Sequence, residues 1–373
     1  MLEPKLPKGR SAFLWGPRKT GKTYWIRNRF ARPEDHVIDL LQTDVFAEYA
    51  SRPALLRERH TGRRTIIDEV QKIPALLDEV HWLIENRGAS FLLSGSSARK
   101  LRRGHANLLA GRAWRWELGP LSFREVEGFD LARAMLTGLL PPHFLSDDPE
   151  RDLRAYVADY LKDEIAIEAR AKNLPAFAEF LRVAALTNAE LLNAANVGRE
   201  CGVSAKVVRG YFEILEDTLL GLRLKPWTRA SKRRTILTEK FYFFDVGIAS
   251  FLARRRPLPG SAEFGKCFEH YLLEEILNYR RYREPELDVS FWRTASGFEV
   301  DFILGDMLAA VEVKSGARVH EGDLRGLAAL GEEHSVKRKL VVCEEREPRR
   351  VGDVEVLPWR LFLERLFEGD ITC

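Results

Sequence analysis

The stretch from Ser11 to Thr23 reads Ser-Ala-Phe-Leu-Trp-Gly-Pro-Arg-Lys-Thr-Gly-Lys-Thr. Its first five residues predict a short buried strand, and a helical pattern follows through Phe30. Between them lies the P-loop pattern, in which Gly, four residues, Gly, Lys and Thr join a strand to a helix. Such a loop surrounds phosphates with its backbone N–H groups. The sequence therefore predicts a nucleotide site formed by Gly16, Pro17, Arg18, Lys19, Thr20, Gly21, Lys22 and Thr23.

A second predicted strand supplies the acids that a P-loop ATPase needs. Residues 64–69 read Arg-Thr-Ile-Ile-Asp-Glu, an apolar run that ends in two carboxylates. In P-loop ATPases the lysine reaches the β- and γ-phosphates, while the loop threonine and a strand-end aspartate hold Mg²⁺. We therefore predict that Lys22 binds the phosphates of ATP and that Thr23 and Asp68 ligate Mg²⁺. Glu69 is predicted to polarise the attacking water.

A third strand end and a run of arginines complete the predicted site. Residues 91–97 read Phe-Leu-Leu-Ser-Gly-Ser-Ser. Either Ser94 or Ser96 is placed to sense the γ-phosphate, although serines that cap loops look the same. Basic residues follow between residues 99 and 115. We expect Arg112 to stabilise the charge that develops during phosphoryl transfer, in the same chain or across a subunit boundary. A solvated basic face is the equal alternative.

Two further segments extend a family resemblance over nearly the whole chain. Residues 118–125 read Leu-Gly-Pro-Leu-Ser-Phe-Arg-Glu, and residues 156–165 read Tyr-Val-Ala-Asp-Tyr-Leu-Lys-Asp-Glu-Ile. With the P-loop motifs, they resemble the AAA-superfamily ATPases of bacteria and archaea that carry a carboxy-terminal domain of unknown function. The Gly-Gly-x-Pro turn of that family has diverged to Thr-Gly-Leu-Leu-Pro at residues 137–141. The resemblance implies an α/β sheet with a small helical lid and a homo-oligomer, such as a ring.

The middle of the chain predicts a winged helix-turn-helix. Residues 177–185 place apolar side chains at the three-to-four spacing of a buried helix. Residues 196–212 then read as a helix, a tight turn at Gly202, an N-cap at Ser204 and a second helix. A strand at residues 220–224 predicts the wing. The core face of the second helix is expected to comprise Val207, Val208, Tyr211, Phe212 and Leu215.

Cations cluster around this predicted winged helix. Lys206 and Arg209 are expected on the outer face of the second helix, and Lys232, Arg233 and Arg234 follow in a basic segment. Cations beside such a helix are typical of phosphate contacts, so we predict that these five residues bind DNA. Winged helices also serve as packing modules inside ATPases, and that alternative stays open.

The last third predicts one long helix followed by a small sheet. The helix has its apolar face between residues 264 and 276, and three strands follow at residues 289–293, 298–304 and 308–313. Turns are expected at residues 295–297 and 305–306. Alternation along the second strand puts Phe298, Val300, Phe302 and Leu304 on one face and Glu299 and Asp301 on the other.

Charged side chains on these strands suit metal-dependent phosphodiester chemistry. Asp301, followed by Glu312 and Lys314 on the next strand, resembles the Asp…(Asp/Glu)-x-Lys signature of restriction-endonuclease-like nucleases. The resemblance implies that the acids bind Mg²⁺ or Mn²⁺ and that Lys314 positions water or steadies charge on the phosphate. Glu269, on the preceding helix, matches the acid that often completes this site. A structural salt-bridge cluster, or a relic fold without activity, is the alternative.

Composition limits the class of protein. With 45% hydrophobic and 31% charged residues, the chain is not disordered throughout. Apolar runs are too short for a membrane span. The four cysteines are scattered, which favours a reducing compartment, and we expect a cytoplasmic protein. A net charge of +4 permits a nucleic-acid partner without requiring one.

Together these features predict an α/β protein with an AAA-type P-loop core and helical lid, a winged helix and a restriction-endonuclease-like domain. The predicted domains are an ATPase core at 1–128, a lid at 129–175, a winged helix-turn-helix at 176–260 and a PD-(D/E)xK nuclease-like domain at 261–373. The main hypothesis is a DNA-binding ATPase with a metal-dependent nuclease, that is, an ATP-dependent or ATP-regulated endonuclease. The rival is a nucleotide-operated switch that binds DNA or protein and whose nuclease-like domain is inactive. An ATPase that acts on proteins is the third possibility.

Overall fold

The structure, a computed structural model, describes residues 6–7, 9–96, 109–158, 173–229, 233–316 and 318–372. The chain forms two compact units, Met1–Gly119 with Asp217–Leu220, and Pro120–Glu216 with Gly221–Cys373. The break after residue 119 comes earlier than the predicted end of the ATPase core at residue 128. The predicted boundaries at residues 128, 175 and 260 all fall within the second unit, and they stay predictions.

A five-stranded parallel sheet forms the centre of the first unit. Its strands are β1 (Ser11–Trp15), β2 (His36–Asp39), β3 (Thr65–Asp68), β4 (Phe91–Gly95) and β5 (Ala113–Glu117), in the order β2-β3-β4-β1-β5. β1, β3 and β4 are buried along their whole length, as expected for central strands of a parallel sheet. Because β4 lies between β1 and β3, the carboxyl ends of these three strands are neighbours. Ligands of open α/β sheets bind at that edge.

Helices of the first unit cover this sheet. The predicted helix after the P-loop is confirmed as α1 (Lys22–Trp25), which continues as a π-helical segment at Ile26–Phe30. The others are α2 (Thr43–Ser51), α3 (Leu55–Glu58) and α4 (Leu76–Arg87). Apolar residues of α4 share one buried core with side chains of β1, β3 and β4. This packing holds the strand ends that carry the predicted site.

The second unit begins with short helices and then the predicted helix-turn-helix. Its helices up to residue 217 are α5 (Leu131–Thr137), α6 (Pro141–Phe144), α7 (Pro149–Ala155), α8 (Leu174–Leu186), α9 (Ala194–Cys201) and α10 (Ala205–Asp217). Gly202 adopts the left-handed conformation at φ 66°, and Ser204 Oγ accepts a hydrogen bond from Val207 N at 3.4 Å. Both predicted turn features are confirmed. Of the predicted core face, four residues are buried, but Val207 is exposed.

The strand predicted for the wing is present as β6. β6 (Gly221–Leu224) pairs with β7 (Lys240–Phe243) as a two-stranded antiparallel sheet. Described residues between these two strands lie along the edge of the C-terminal sheet, where Trp227 N donates to Phe291 O at 2.6 Å. Ile236 N likewise donates to Arg293 O at 2.9 Å. Much of the basic segment is therefore anchored to the C-terminal fold.

A six-stranded mixed sheet and three helices follow after α11 (Val246–Leu252). The strand order is β12-β13-β11-β10-β9-β8, with parallel pairing at β10–β11 and β11–β13. The strands are β8 (Val289–Arg293), β9 (Glu299–Leu304), β10 (Ala309–Lys314), β11 (Arg338–Cys343), β12 (Arg349–Val351) and β13 (Val354–Pro358). The helices are α12 (Ala262–Tyr282), α13 (Arg325–Gly331) and α14 (Trp359–Glu368). Among the helices of the described residues, none has the length and apolar character needed to cross a bilayer.

The prediction of strict alternation along β9 is wrong. The pairing of β8 with β9 shifts register between Ser290 and Trp292, and such a bulge reverses the faces of the residues beyond it. Val300 accordingly packs in one core of the unit, whereas Phe302 and Leu304 pack in the other. Asp301 lies at this irregularity.

Buried carboxylates hold two of the family-like segments in place. Glu275 of α12 accepts hydrogen bonds from Ser122 Oγ and Phe123 N, both at 2.7 Å. Asp245, the N-cap of α11, accepts from Leu139 N at 2.7 Å in the diverged Thr-Gly-Leu-Leu-Pro turn. A Cβ on Gly138 would lie 1.9 Å from Asp245 Oδ1, so this turn requires glycine. These contacts give both segments a structural role. The predicted segment at 156–165 lies outside the described residues from Asp159 onward.

Candidate functional sites

The P-loop backbone has the conformation that phosphate binding requires. Lys19 and Gly21 have positive φ values of 67° and 90°, so successive N–H groups turn toward one side. A Cβ on Gly16 would lie 2.5 Å from Leu118 O, which excludes any larger residue at this position. Thr20 Oγ1 donates to Pro17 O at 2.9 Å and braces the loop. The loop therefore forms a rigid cradle at the carboxyl end of β1.

Lys22 is buried beneath this cradle. Its Nζ donates to Gly16 O at 2.8 Å and to Pro17 O at 2.9 Å. Burial lowers the pKa of Lys22 to about 8, although the carboxylates of Glu69 and Asp68 act in the opposite direction. A buried ammonium group at a helix N-terminus attracts the phosphates of a nucleotide strongly, because little water screens its charge.

Thr23, Asp68 and Ser94 come together from the ends of three elements. The Thr23 hydroxyl donates to Asp68 Oδ2 at 2.8 Å, and the Ser94 hydroxyl donates to Asp68 Oδ1. Asp68 is buried, with 3% of its surface exposed. A carboxylate and a hydroxyl at the mouth of a P-loop are the hard oxygen ligands that Mg²⁺ prefers. The residues present thus fit the predicted metal ion.

Glu69 is fixed by Ser94 and by Gln71, a residue that sequence reasoning did not assign. Its backbone is left-handed at φ 61°, and its N–H donates to Ser94 Oγ at 3.3 Å. Gln71 Nε2 donates to Glu69 Oε2 and, at 3.1 Å, to Ser96 Oγ. Gln71 is buried in a 3₁₀ turn two residues after the predicted base. In the sequence, the only hint of a role for Gln71 is its position two residues after Glu69. That spacing by itself predicts no contact.

The predicted arginine finger lies at the surface of the first unit. Arg112 follows a 3₁₀ turn at Leu109–Gly111 and forms an ion pair with Glu85 of α4. Its side chain is 36% exposed. Arg115, the last cation of the run, pairs with Glu117 at 3.0 Å, and the cations at residues 99–103 lie outside the described residues.

Two of the predicted DNA-binding residues lie on the exposed face of α10. Lys206 and Arg209 are exposed, and neither forms an ion pair with a residue that the structure describes. Arg209 also lines a surface groove of about 440 Å³ together with Lys225, which follows β6. Arg223, in the same groove, is paired with Glu216 at 2.5 Å and with Glu239 at 3.6 Å. The groove therefore presents Arg209 and Lys225 as cations for an external anion.

For Arg233 the structure gives a role different from the prediction. Its guanidinium pairs with Glu332 and, at 2.8 Å, with Glu333, and it lies 5.4 Å from the centre of the Phe298 ring. These contacts tie it to the C-terminal fold and neutralise its charge, so it is poorly suited to bind phosphate. Arg234 is exposed, and Lys232 lies outside the described residues.

Three of the predicted nuclease residues lie together on β9 and β10. Asp301 accepts a hydrogen bond from Val313 N at 2.8 Å, and Lys314 Nζ lies 2.6 Å from Glu312 Oε1. Burial and the negative charge of Glu312 raise the pKa of Asp301 well above its usual range. Burial likewise raises the pKa of Glu312 to about 7, although Lys314 lowers it. Glu312 Oε2 is buried without a hydrogen-bond partner in the described part of the chain.

Glu269, the predicted third acid, binds other residues. Glu269 Oε1 accepts hydrogen bonds from Lys240 Nζ at 3.1 Å and from Tyr242 OH at 2.5 Å. Among the described residues, no three His, Cys, Asp or Glu side chains are arranged to hold a metal ion. The three-acid metal site is therefore not formed in this geometry, because β7 contributes a lysine and a tyrosine to Glu269.

Comparison with protein families agrees with the P-loop geometry. Residues 8–127 match a family described as an AAA domain. This match makes the first third of the chain similar to AAA-type P-loop domains. Residues 128–258 match a domain of unknown function (DUF8612), and residues 264–362 match another (DUF4143). The AAA match supports a nucleotide-hydrolysing role. None of these three descriptions mentions a winged helix or a nuclease, so both stay predictions.

Individual relatives add little about activity. An uncharacterised protein of Mycobacterium bovis and one of Mycobacterium tuberculosis are each 27% identical over 310 residues, which cover 80% of this chain and 68% of theirs. Among solved structures, the Aeropyrum pernix ORC1 protein in complex with DNA shares 12% identity, with 67% of this chain and 87% of that chain covered and a TM-score of 0.25. PCH-2 of C. elegans shares 13% identity, with 57% and 62% covered and a TM-score of 0.23. Scores this low support no inference about function.

Proposed function

We propose that the AAA domain hydrolyses ATP with Mg²⁺. The observation that carries the proposal is the meeting of the buried Lys22 with Thr23 and Asp68 at the carboxyl ends of neighbouring strands. Lys22 would bind the β- and γ-phosphates, and Thr23 with Asp68 would hold the metal ion. Mg²⁺, when bound, would neutralise charge that develops on the phosphate oxygens. Glu69, held by Gln71, would orient and polarise the attacking water.

We further propose that the second unit binds DNA through α10 and the adjoining groove. The exposed Lys206 and Arg209, with Lys225 beside them, form a cationic surface that can neutralise backbone phosphates. The helix order α8-α9-α10 followed by β6 and β7 is that of a winged helix. A homo-oligomer is part of the proposal, since the exposed side of Arg112 could then serve a neighbouring P-loop.

Of the two hypotheses for the C-terminal fold, we favour binding without cleavage. The reason is that Glu269 is bonded to Lys240 and Tyr242, and that no three His, Cys, Asp or Glu side chains among the described residues are arranged to hold a metal ion. Incubation of plasmid, linear and single-stranded DNA with Mg²⁺ or Mn²⁺, with and without ATP, tests this. We expect wild type and Asp301→Ala to leave all substrates equally intact. Cleavage by wild type that Asp301→Ala abolishes would overturn it.

DNA binding is tested by the salt dependence of affinity. A fluorescent 30-base-pair duplex is titrated with wild type, Lys206→Ala, Arg209→Ala and, as a matched control, Arg233→Ala. Each of the first two changes should lower the affinity for DNA. Each should also reduce the slope of log K against log salt concentration by roughly one, which corresponds to one released counter-ion. Arg233→Ala should leave the slope unchanged, because its charge is already neutralised within the fold. Equal slopes for all four proteins would remove α10 from the interface.

A further inference from the structure

An internal lysine reaches the acids of the C-terminal fold. We use the name acidic cluster for Glu269, Glu299, Asp301 and Glu312. Lys240 Nζ lies 2.7 Å from Glu299 Oε1 and 3.1 Å from Glu269 Oε1. Its side chain is 3% exposed, against 34% for Lys314. A lysine this deeply buried is rare unless it is paired.

Several neighbours hold the side chain of Lys240 in place. Glu269 and Glu299 bind its ammonium group, and Tyr242 donates its hydroxyl to the same oxygen of Glu269. Lys240 Nζ also lies 5.4 Å from the centre of the Phe291 ring, on the strand next to β9. The ammonium group is therefore fixed from several sides.

Two other cations beside the acidic cluster each bind one of its acids. Arg293 binds Glu299 at 2.9 Å, and Lys314 binds Glu312 at 2.6 Å. Lys240 differs because it bridges two carboxylates, one from α12 and one from β9, and its charge also acts on Asp301. A cation that bridges carboxylates from separate elements resembles a bound metal ion in its contacts.

We propose that the ammonium group of Lys240 is the resident cation of the acidic cluster and takes the place of the divalent metal that the sequence predicted there. Oxygen atoms of Glu269 and Glu299 cannot serve the ammonium group and a metal ion at once. Removal of Lys240 would leave Glu269 without a cation, while Glu299 would keep Arg293 and Glu312 would keep Lys314. The negative charge that then remains on the acidic cluster would attract a hard divalent ion. The proposal thus includes a latent Mn²⁺ site, which goes beyond ATP hydrolysis and DNA binding.

The test is a Mn²⁺ titration of the full chain, without nucleotide or DNA, followed by electron paramagnetic resonance. The variants are Lys240→Met, the double variant Lys240→Met with Asp301→Asn, and the matched control Lys266→Met. Lys266 is paired with Glu190, and its side chain is 41% exposed. We expect Lys240→Met to bind Mn²⁺ more tightly than wild type by on the order of 10–100-fold. The double variant should lose this gain, and Lys266→Met should show none.

Two results would overturn the proposal. One is a folded Lys240→Met variant without any gain in Mn²⁺ affinity. The other is a Mn²⁺ site in wild type that Asp301→Asn alone removes, since the acidic cluster would then hold metal despite Lys240. The second comparison uses only wild type and a single amide substitution, so it decides the matter even if Lys240→Met does not fold. Because neither ATP nor DNA is present, failure here is distinct from failure of the proposed ATPase.

Discussion

The P-loop site and the acidic cluster contain the same kinds of side chain in different arrangements. Each has a buried lysine and at least two carboxylates at strand ends. In the P-loop site Lys22 donates to backbone carbonyls, and Asp68, the proposed metal ligand, is bonded to the hydroxyls of Thr23 and Ser94. In the acidic cluster Lys240 is bonded directly to Glu269 and Glu299.

This difference decides which cation each site can use. A carboxylate that is bonded to hydroxyls keeps its negative charge available, and the hydroxyls can themselves become metal ligands. A carboxylate that is bonded to an ammonium group is already neutralised, and a metal ion must first displace that group. The presence of acids and a lysine in the sequence therefore does not by itself predict a metal site. What decides it is whether the lysine bonds to those acids or to other groups.

The largest expected effect is loss of ATP hydrolysis in Lys22→Ala. Removing the buried ammonium group takes away the charge that binds and stabilises the phosphates. The rate should fall by on the order of 10²–10³-fold or more. Phosphate release measured under saturating ATP and Mg²⁺ checks this, with Lys72→Ala as a control, since Lys72 donates to Leu40 O in the same unit. Undiminished turnover in Lys22→Ala would place hydrolysis elsewhere.

Substitution of a lysine in the acidic cluster should lower the stability of the protein. Lys240→Met breaks the pairs of a lysine that is only 3% exposed and should lower the free energy of unfolding by about 3–5 kcal/mol. Lys314→Met breaks a pair whose lysine is 34% exposed, and it should lower that free energy by only about 1 kcal/mol. Urea unfolding followed by circular dichroism gives both values. Equal losses in the two variants would mean that Lys240 has no special place in the cluster.

A smaller effect is expected at Gln71. In Gln71→Ala, Glu69 loses the amide that fixes its carboxylate, and the rate of ATP hydrolysis should fall roughly tenfold, a part of what a positioned base contributes. The affinity for ATP should change little. Gln42→Ala is the matched control, because the other glutamine of the chain is exposed. A lower affinity with an unchanged rate would assign Gln71 to binding.

The smallest expected effect is the uptake of part of a proton when ATP binds. The lowered pKa of Lys22, about 8, means that part of the population is neutral near that pH before nucleotide binds. Phosphates favour the ammonium form, so binding at pH 8 should take up on the order of half a proton, and affinity should fall as pH rises through 8. Calorimetry in buffers of different ionisation enthalpy measures the uptake. Lys22→Arg should show none, because guanidinium stays protonated. Equal uptake in this variant would assign the proton to another group.

The sequence predicted well what is local and less well what depends on distant partners. The P-loop is one contiguous stretch, and β3 and β4 end in polar residues that a parallel sheet must bring to the same edge. The bulge in β9 could not be foreseen, because it arises from pairing with β8. Lys240 sits in a strand of aromatic residues, and only the tertiary fold shows that it reaches α12 and β9. Arg233 is similar, since its acidic partners at residues 332 and 333 lie far along the chain.

The number of Mn²⁺ ions bound per chain, in the presence of a non-hydrolysable ATP analogue, tests the contrast between the two sites most directly. The account predicts one ion, which Thr23→Ala removes and Asp301→Asn leaves in place. A second ion in wild type, lost in Asp301→Asn, would contradict it, since the acidic cluster would then be a metal site after all.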